Sequence, residues 1–217
     1  RGYAVTLAEA GTEPGGRVTH ESRLPGLSAW ARARDWRVGR IQEMTNVDVF
    51  LGSRLSVEDI IEYGFSDVVI ATGAHWRADG VGVSNWQPIQ GSDHAHVLTP
   101  EHIYAGATIA GPVLVFDDDN FYLGAVIAEK LIGDGHAVTL VTTASKVSSW
   151  TENTLEQHRI QARVLELGIE VVTAHNIGEI RAGEVECTCI FTNRPRTVPV
   201  GSVVMVTSRL PNNQVYL

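Results

Sequence analysis

The chain has 217 residues, enough for one large domain or two small ones, and its 44% hydrophobic and 19% charged residues are typical of a globular protein. Its net charge of −8 argues against a nucleic-acid partner and against a basic membrane-surface patch, because both rely on clustered Lys and Arg. No apolar run reaches the roughly 20 residues of a spanning helix, so no membrane partner is predicted.

The cysteines and histidines bear on the metal sites that the chain could hold, and its first residues bear on whether it is part of a longer protein. Cys187 and Cys189 are too few to hold an iron–sulfur cluster or a structural zinc unaided, and they favour a reducing, cytoplasmic setting. The eight histidines show no zinc-type spacing, so no metal site is predicted. Because the chain begins Arg-Gly-Tyr, without an initiator Met or a signal peptide, we expect it to be part of a longer protein.

The first predicted unit, residues 1–78, alternates short apolar segments with amphipathic ones. We expect strands over residues 4–10, 47–51 and 67–72 and a helix over residues 28–44. Ser56 and Asp59 have the spacing of a helix-capping box, so a second, short helix should begin there. The first strand is expected to be buried, which indicates a sheet covered by helices.

Residues 79–111 form a predicted connector, because Gly, Pro, Asn, Asp and His recur there without a lasting period; one short helix is expected near Pro100–Tyr104. A second unit is predicted over residues 112–217. Its expected strands are 113–116, 137–142, 169–173 and 202–206, its helices 123–133 and 155–167, and its antiparallel meander 176–198. The predicted fold is therefore α/β, with two Rossmann-like parallel-sheet units of the FAD/NAD(P)-binding type, the first incomplete, and a small meander.

The candidate cofactor-binding residues of the first unit follow its first strand. Glu9, with Ala10 beside it, stands where a dinucleotide-binding unit carries the acidic residue that accepts hydrogen bonds from the ribose. Gly16 lets backbone approach a ligand closely, and Arg17 offers a planar donor fork to phosphate. A solvated Glu and an ordinary glycine turn with a surface Arg are the alternatives.

The spacing from Glu9 to the double glycine resembles the second strand and following loop of flavoproteins with two dinucleotide-binding domains. Thr72 and Gly73 match the segment of that family in which a strand end passes close to the bound dinucleotide. The Gly-x-Gly-x-x-Gly loop of such a fold is expected before residue 1, so the first unit is expected to lack the helix N-terminus that holds the pyrophosphate.

The second unit carries an acidic segment where a dinucleotide loop would lie. Three aspartates, Asp117, Asp118 and Asp119, lie between the predicted strand 113–116 and the predicted helix 123–133. Of the glycines of a dinucleotide-binding loop, only Gly124 is present. Carboxylates there would repel a pyrophosphate, since two charges about 4 Å apart interact by about 1 kcal/mol even in water. We therefore predict that this unit does not bind NAD. A Mg²⁺ or Ca²⁺ site is a weaker alternative, because consecutive side chains diverge.

These motifs, in this order, resemble the C-terminal region of the trimethylamine, dimethylamine and histamine dehydrogenase family. The resemblance covers essentially the whole chain and is most specific in the acidic loop, residues 115–122, and in residues 150–158; residues 24–30, 70–76 and 135–141 contribute as well. The dienoyl-CoA reductase relatives share the general plan, but they use the second unit for NADPH.

The resemblance implies a parent flavin-dependent amine dehydrogenase whose barrel carries FMN and a [4Fe–4S] cluster outside this chain. It also implies a homodimer that passes electrons to an electron-transfer flavoprotein. For this chain it implies an ADP or FAD site and no catalytic residue: Glu9 would hold the ribose and Trp30 would lie near the edge of the nucleotide, with Gly16, Arg17, Thr72 and Gly73 alongside. The alternatives are part of an NAD(P)H-dependent FAD/FMN reductase and a non-catalytic interaction module.

Overall fold

The computed structural model describes residues 2–216, which form a mixed α/β fold of two compact units. One unit contains the residues before His75 and after Leu210, and the other is His75–Leu210. Among residues 2–216, no helix has both the length and the apolar character needed to cross a lipid bilayer. Each candidate site lies within one of these units, so the two can be described separately.

The first unit contains a two-stranded parallel sheet and three short helices. Its elements are β1 (Val5–Ala8), α1 (Gly16–Glu21), a 3₁₀ turn (Ser28–Trp30), α2 (Ala31–Gln42), β2 (Val47–Phe50) and α3 (Val57–Glu62). The predicted capping box is confirmed, because the Ser56 hydroxyl accepts the Asp59 amide at 3.2 Å and the Asp59 carboxylate accepts the Ser56 amide at 2.8 Å. This pair fixes where α3 begins.

Two predictions for the first unit are wrong. Residues 67–72 do not form a strand, although they are apolar, and the Val69 side chain is 89% exposed. A strand needs a neighbour to complete its ladder of hydrogen bonds, and β1 and β2 pair only with each other in this part of the structure. β1 is also mostly exposed rather than buried, since a two-stranded sheet has little around it to cover its faces.

The second unit is built on a five-stranded parallel sheet, with a three-stranded antiparallel sheet beside it. The elements from residue 74 to residue 211 are β3 (Ala74–Trp76), β4 (Val97–Leu98), α4 (Pro100–Tyr104), β5 (Val113–Asp117), α5 (Leu123–Gly133), β6 (Val138–Thr142), α6 (Gln157–Glu166), β7 (Glu170–Val172), β8 (His175–Arg181), β9 (Glu184–Cys189), β10 (Pro195–Pro199), β11 (Ser202–Val206) and β12 (Arg209–Pro211). The parallel sheet has the order β4-β11-β5-β6-β7. All five residues of β5 and of β11 are buried, as expected for central parallel strands covered on both faces.

The predicted strands, the helix over 123–133 and the meander of the second unit are confirmed, with two differences. The predicted connector contributes β4, a two-residue edge strand too short to show a pattern, which pairs with β11. Helix α6 begins at Gln157 rather than at 155, because Leu155 has a φ of 62°. That left-handed conformation does not fit a right-handed helix, and it ends the preceding turn instead.

Candidate functional site

The predicted nucleotide residues of the first unit lie just beyond the end of β1. Glu9 follows the strand, its backbone amide donates to the Phe50 carbonyl at 2.9 Å, and its Oε1 accepts the Gly11 amide at 2.7 Å. The other oxygen, Oε2, has no hydrogen-bond partner within residues 2–216. The local fold therefore fixes the position of the Glu9 carboxylate at the carboxyl end of a parallel strand, with one oxygen free to accept a ligand hydrogen bond.

The double glycine forms the turn that leads into α1. Gly15 has a φ of 114° and Gly16 a φ of 49°, a region that residues with a side chain rarely adopt. Apart from its chain neighbours and the backbone of α1 itself, no heavy atom of residues 2–216 lies within 4 Å of the place where a Cβ would stand on Gly16, so this side of the turn is open. Arg17 pairs with the buried Glu21, with Nε and Oε1 3.1 Å apart. Its side chain stays partly exposed, as a phosphate donor requires.

A residue that the sequence analysis did not identify, Arg34, completes this turn from helix α2. A Cβ on Gly15 would lie 2.5 Å from Cδ of Arg34 and 2.6 Å from the Thr19 hydroxyl, so Gly15 makes room for both side chains. The Arg34 guanidinium donates to that hydroxyl at 3.2 Å and pairs with Asp35 at 2.7 Å. The double glycine indicates that some group approaches closely, but nothing in the local sequence identifies Arg34, because it lies 19 positions after Gly15 in the chain.

Arg34 also borders a shallow groove of about 310 Å³. The groove is lined by Glu13, Pro14, Asp35, Val38, Gly39 and Gln42 in addition to Arg34. Its one cation, Arg34, is paired with the two carboxylates of the lining, with Asp35 at 2.7 Å and with Glu13 at 4.0 Å. The groove therefore offers no unpaired positive charge to a phosphate, and it is not part of the candidate nucleotide site.

Thr72 and Gly73 have a different set of partners. The Thr72 hydroxyl donates to the Asn212 carbonyl, and the Asn212 side chain returns a hydrogen bond to the Thr72 carbonyl at 3.0 Å. The Asn212 amide also donates to the Gly73 carbonyl at 2.9 Å. Both residues are exposed, and the position of a Cβ on Gly73 is free of neighbours within 4 Å. Ala10 is likewise exposed, and Trp30 is half-buried at the end of its 3₁₀ turn.

The acidic loop of the second unit, whose carboxylates the sequence analysis expects to repel a pyrophosphate, is largely internal. Asp117 and Asp118 are fully buried. Oδ1 of Asp117 accepts the Asn120 amide at 2.9 Å, while its Oδ2 has no hydrogen-bond partner among the described residues and faces Gly124 in the first turn of α5. A Cβ on Gly124 would lie 2.5 Å from that oxygen. Burial raises the pKa of Asp117 to about 8, so this carboxyl is mostly protonated at neutral pH.

The three carboxylates of the loop diverge. Asp118 accepts hydrogen bonds from the Ser84 amide at 2.9 Å and the Ser84 hydroxyl at 2.6 Å, whereas Asp119 faces Arg209 at 3.5 Å. In the part of the chain that the structure describes, no group of three or more His, Cys, Asp or Glu side chains is arranged to hold a metal ion. The loop is therefore an internally bonded structural element.

Comparisons with known proteins give close relatives. Residues 98–205 match the family described as the OYE-like second alpha/beta domain. Histamine dehydrogenase from Rhizobium sp. 4-9 superposes on the whole chain with a TM-score of 0.96 and 44% identity, and this chain covers 34% of it. For the 6-hydroxypseudooxynicotine amine oxidase from Pseudomonas geniculata N1, the TM-score is 0.95, the identity 42%, and the coverage 99% of this chain and 32% of that one.

Dimethylamine dehydrogenase from Hyphomicrobium sp. (strain x) is 36% identical over an alignment of 194 residues that covers 86% of this chain and 26% of that protein. The chain thus spans about a quarter to a third of the length of these relatives. The structural similarity extends over both units of the chain.

Proposed function

Because the chain belongs to the amine dehydrogenase and OYE-like family of oxidoreductases, we propose that it is the nucleotide-binding scaffold of a larger flavin-dependent amine dehydrogenase. In this proposal, residues 1–78 form a Rossmann-like unit that binds ADP or the ADP portion of FAD. Residues 79–111 connect it to residues 112–217, an NAD-binding-like unit whose loop no longer serves a cofactor. The chemistry of the parent takes place outside this chain, and no residue described here is assigned a catalytic role.

One observation carries the nucleotide assignment: Glu9 directly follows a parallel strand, and the double-glycine turn after it is open at Gly16. An ADP ribose needs a fixed carboxylate, and a diphosphate needs exposed backbone and a guanidinium, which Gly16 and Arg17 supply. The proposed binding residues are Glu9, Ala10, Gly16, Arg17, Trp30, Thr72 and Gly73. The absence of neighbours around Gly16 and Gly73 leaves the space that a ligand would fill.

For the parent, we propose FMN and a [4Fe–4S] cluster in the part of the protein beyond this chain, a homodimeric assembly and an electron-transfer flavoprotein as electron acceptor. The support is the 44% identity to histamine dehydrogenase and the 36% identity to dimethylamine dehydrogenase. In such an enzyme a flavin takes up the electrons of the amine. The contribution of this chain is to bind and orient a nucleotide.

Calorimetric titration of the chain with ADP, FAD and NADH tests the assignment. We expect ADP to bind and the Glu9→Ala variant to bind it at least tenfold more weakly, because a hydrogen bond to a charged group contributes about 1.5–3 kcal/mol. Glu62→Ala removes an exposed carboxylate from the same unit and is the matched control. Failure of ADP to bind, tighter binding of NADH than of ADP, or an equal effect of both substitutions would contradict the proposal.

A further inference from the structure

The carboxyl edge of the five-stranded sheet is the place where an open parallel sheet normally accepts a ligand. In such sheets the ligand lies outside the carboxyl ends of the strands, at the point where the chain connections change direction. Here that point lies between β5 and β11, since the chain passes from β5 to β6 and β7 on one side and then returns to β11 on the other. The residues that follow these strands show what occupies the crevice.

The chain fills this crevice with residues 79–86, which we call the plug loop. The Ser208 hydroxyl, just after β11, donates to the Val81 carbonyl at 2.5 Å. Ser84 donates from its amide and hydroxyl to Asp118, just after β5, and its hydroxyl lies 2.9 Å from that of Thr143, just after β6. The plug loop is thus bonded to the segments that follow three neighbouring parallel strands.

The plug loop contacts the acidic loop closely at Gly82, whereas the side chains of Val83 and Trp86 are 71% and 85% exposed. A Cβ on Gly82 would lie 2.4 Å from Oδ2 of Asp118 and 3.2 Å from Cβ of Thr207, so only glycine fits there. The side-chain amides of Asn85 and Asn176 exchange two hydrogen bonds, of 3.0 and 2.8 Å, which fix one end of the loop to β8. The other end is closed by the hydrogen bond of 2.9 Å from the amide of Ile89 to the carbonyl of Asp79.

A second group of the chain occupies the phosphate position of the same crevice. The Asp117 carboxyl lies against Gly124 in the first turn of α5, where a parallel-sheet nucleotide site holds its phosphate at the helix N-terminus. Asp117 and Asp118 are both fully buried, so solvent does not separate them from the helix and the plug loop. Entry of a ligand would require removal of both side chains from these positions.

We propose that the plug loop is a built-in occupant of the nucleotide crevice, that Asp118 is its anchor, and that together with Asp117 it determines that the second unit accepts no dinucleotide. The exclusion is steric and internal. It does not depend on net charge at the surface, and it is independent of the ADP site proposed for the first unit.

Hydrogen exchange of the chain, followed by mass spectrometry, tests the anchor. We expect residues 80–86 to be protected in the wild type and to exchange at least tenfold faster in Asp118→Ala, while α5 keeps its protection. Asp118→Asn, which retains an acceptor for the Ser84 amide, should give an intermediate rate and covers the case in which the alanine variant fails to fold. Asp119→Ala removes the neighbouring carboxylate, which faces Arg209, and should leave the loop unchanged. Equal protection of the loop in wild type and Asp118→Asn, with α5 protected, would overturn the proposal.

Titration with NADH, followed by its fluorescence, tests the exclusion. All proteins carry Glu9→Ala, so that binding to the first unit does not contribute. We expect no binding without further changes and measurable binding after Asp117→Gly with Asp118→Gly, which frees the phosphate position and the loop together. Binding of NADH without these changes, or a double variant that has a released loop and still binds no NADH, would show that the plug loop is not what closes the crevice.

Discussion

Replacement of Asp117 by Asn should change how the stability of the second unit depends on pH. In the folded chain Asp117 is fully buried, and burial raises its pKa to about 8. In the unfolded chain the same carboxyl has an ordinary pKa near 3.8. Between these two values the folded state holds a proton that the unfolded state has released, so stability falls as pH rises. Asn cannot ionise, and it keeps the oxygen that accepts the Asn120 amide.

The size of the effect follows from the linkage relation. Each pH unit between the two pKa values costs about 1.4 kcal/mol of unfolding free energy, so from pH 5 to pH 7 the wild type loses about 3 kcal/mol relative to Asp117→Asn. Below pH 3.8 the carboxyl is protonated in both states, and the difference between the two proteins should be constant. Above pH 8 it is ionised in both states, and the difference should level off at its largest value.

Guanidinium unfolding at several pH values, read by hydrogen exchange in β5 and α5, measures this difference. Asp134→Asn is the control, since Asp134 is an exposed carboxylate that pairs with Lys130 at 2.8 Å in the same unit. The control should follow the wild type. A constant difference between Asp117→Asn and wild type from pH 5 to pH 7 would refute the reasoning, because it would mean that Asp117 is already ionised in the folded chain.

Three further substitutions test local features of the fold. Gly91→Ala should destabilise the second unit by about 2 kcal/mol or more in denaturant unfolding, because a Cβ would lie 1.9 Å from the Ile180 carbonyl oxygen at a φ of 80°. A loss below about 0.5 kcal/mol would contradict that contact. Leu155→Gly should stabilise the same unit by about 1 kcal/mol, since Leu155 is 93% exposed and left-handed; a lower melting temperature would show that its side chain contributes packing. Ser56→Ala should cost about 1 kcal/mol in α3, seen as faster exchange of its amides, and an unchanged rate would mean that the capping box is dispensable.

The sequence predicts the elements of the second unit well, because each of them is indicated by a short continuous run of residues. β5 and α5 are apolar runs bounded by Gly, Pro and charged residues, and the structure has them at Val113–Asp117 and Leu123–Gly133, within one residue of the prediction. Their burial follows from their position in a parallel sheet. The family could be identified from the sequence for a related reason, since the acidic loop and residues 150–158 are continuous segments with unusual composition.

What the sequence does not predict depends on distant partners. Residues 67–72 have a strand's composition, but whether they pair is decided by neighbours elsewhere in the chain. Arg34 approaches Gly15 from 19 positions further along the chain, and Ser84 bonds to Asp118 across 34 positions. No local sequence pattern predicts contacts over such distances. For the same reason, the sequence does not indicate that two of the three aspartates of the acidic loop are buried and hydrogen-bonded.

The unpaired segment at residues 67–72 has a practical consequence for anyone who produces this chain. Within residues 2–216 it pairs with no neighbouring strand, and its apolar side chains face solvent: Val68, Val69 and Ile70 are 50%, 89% and 37% exposed. Such an edge is a template for intermolecular β-pairing, so concentrated solutions should aggregate through this segment. A lysine in place of Val69 would act as a gatekeeper there and should raise the concentration at which the chain remains monodisperse.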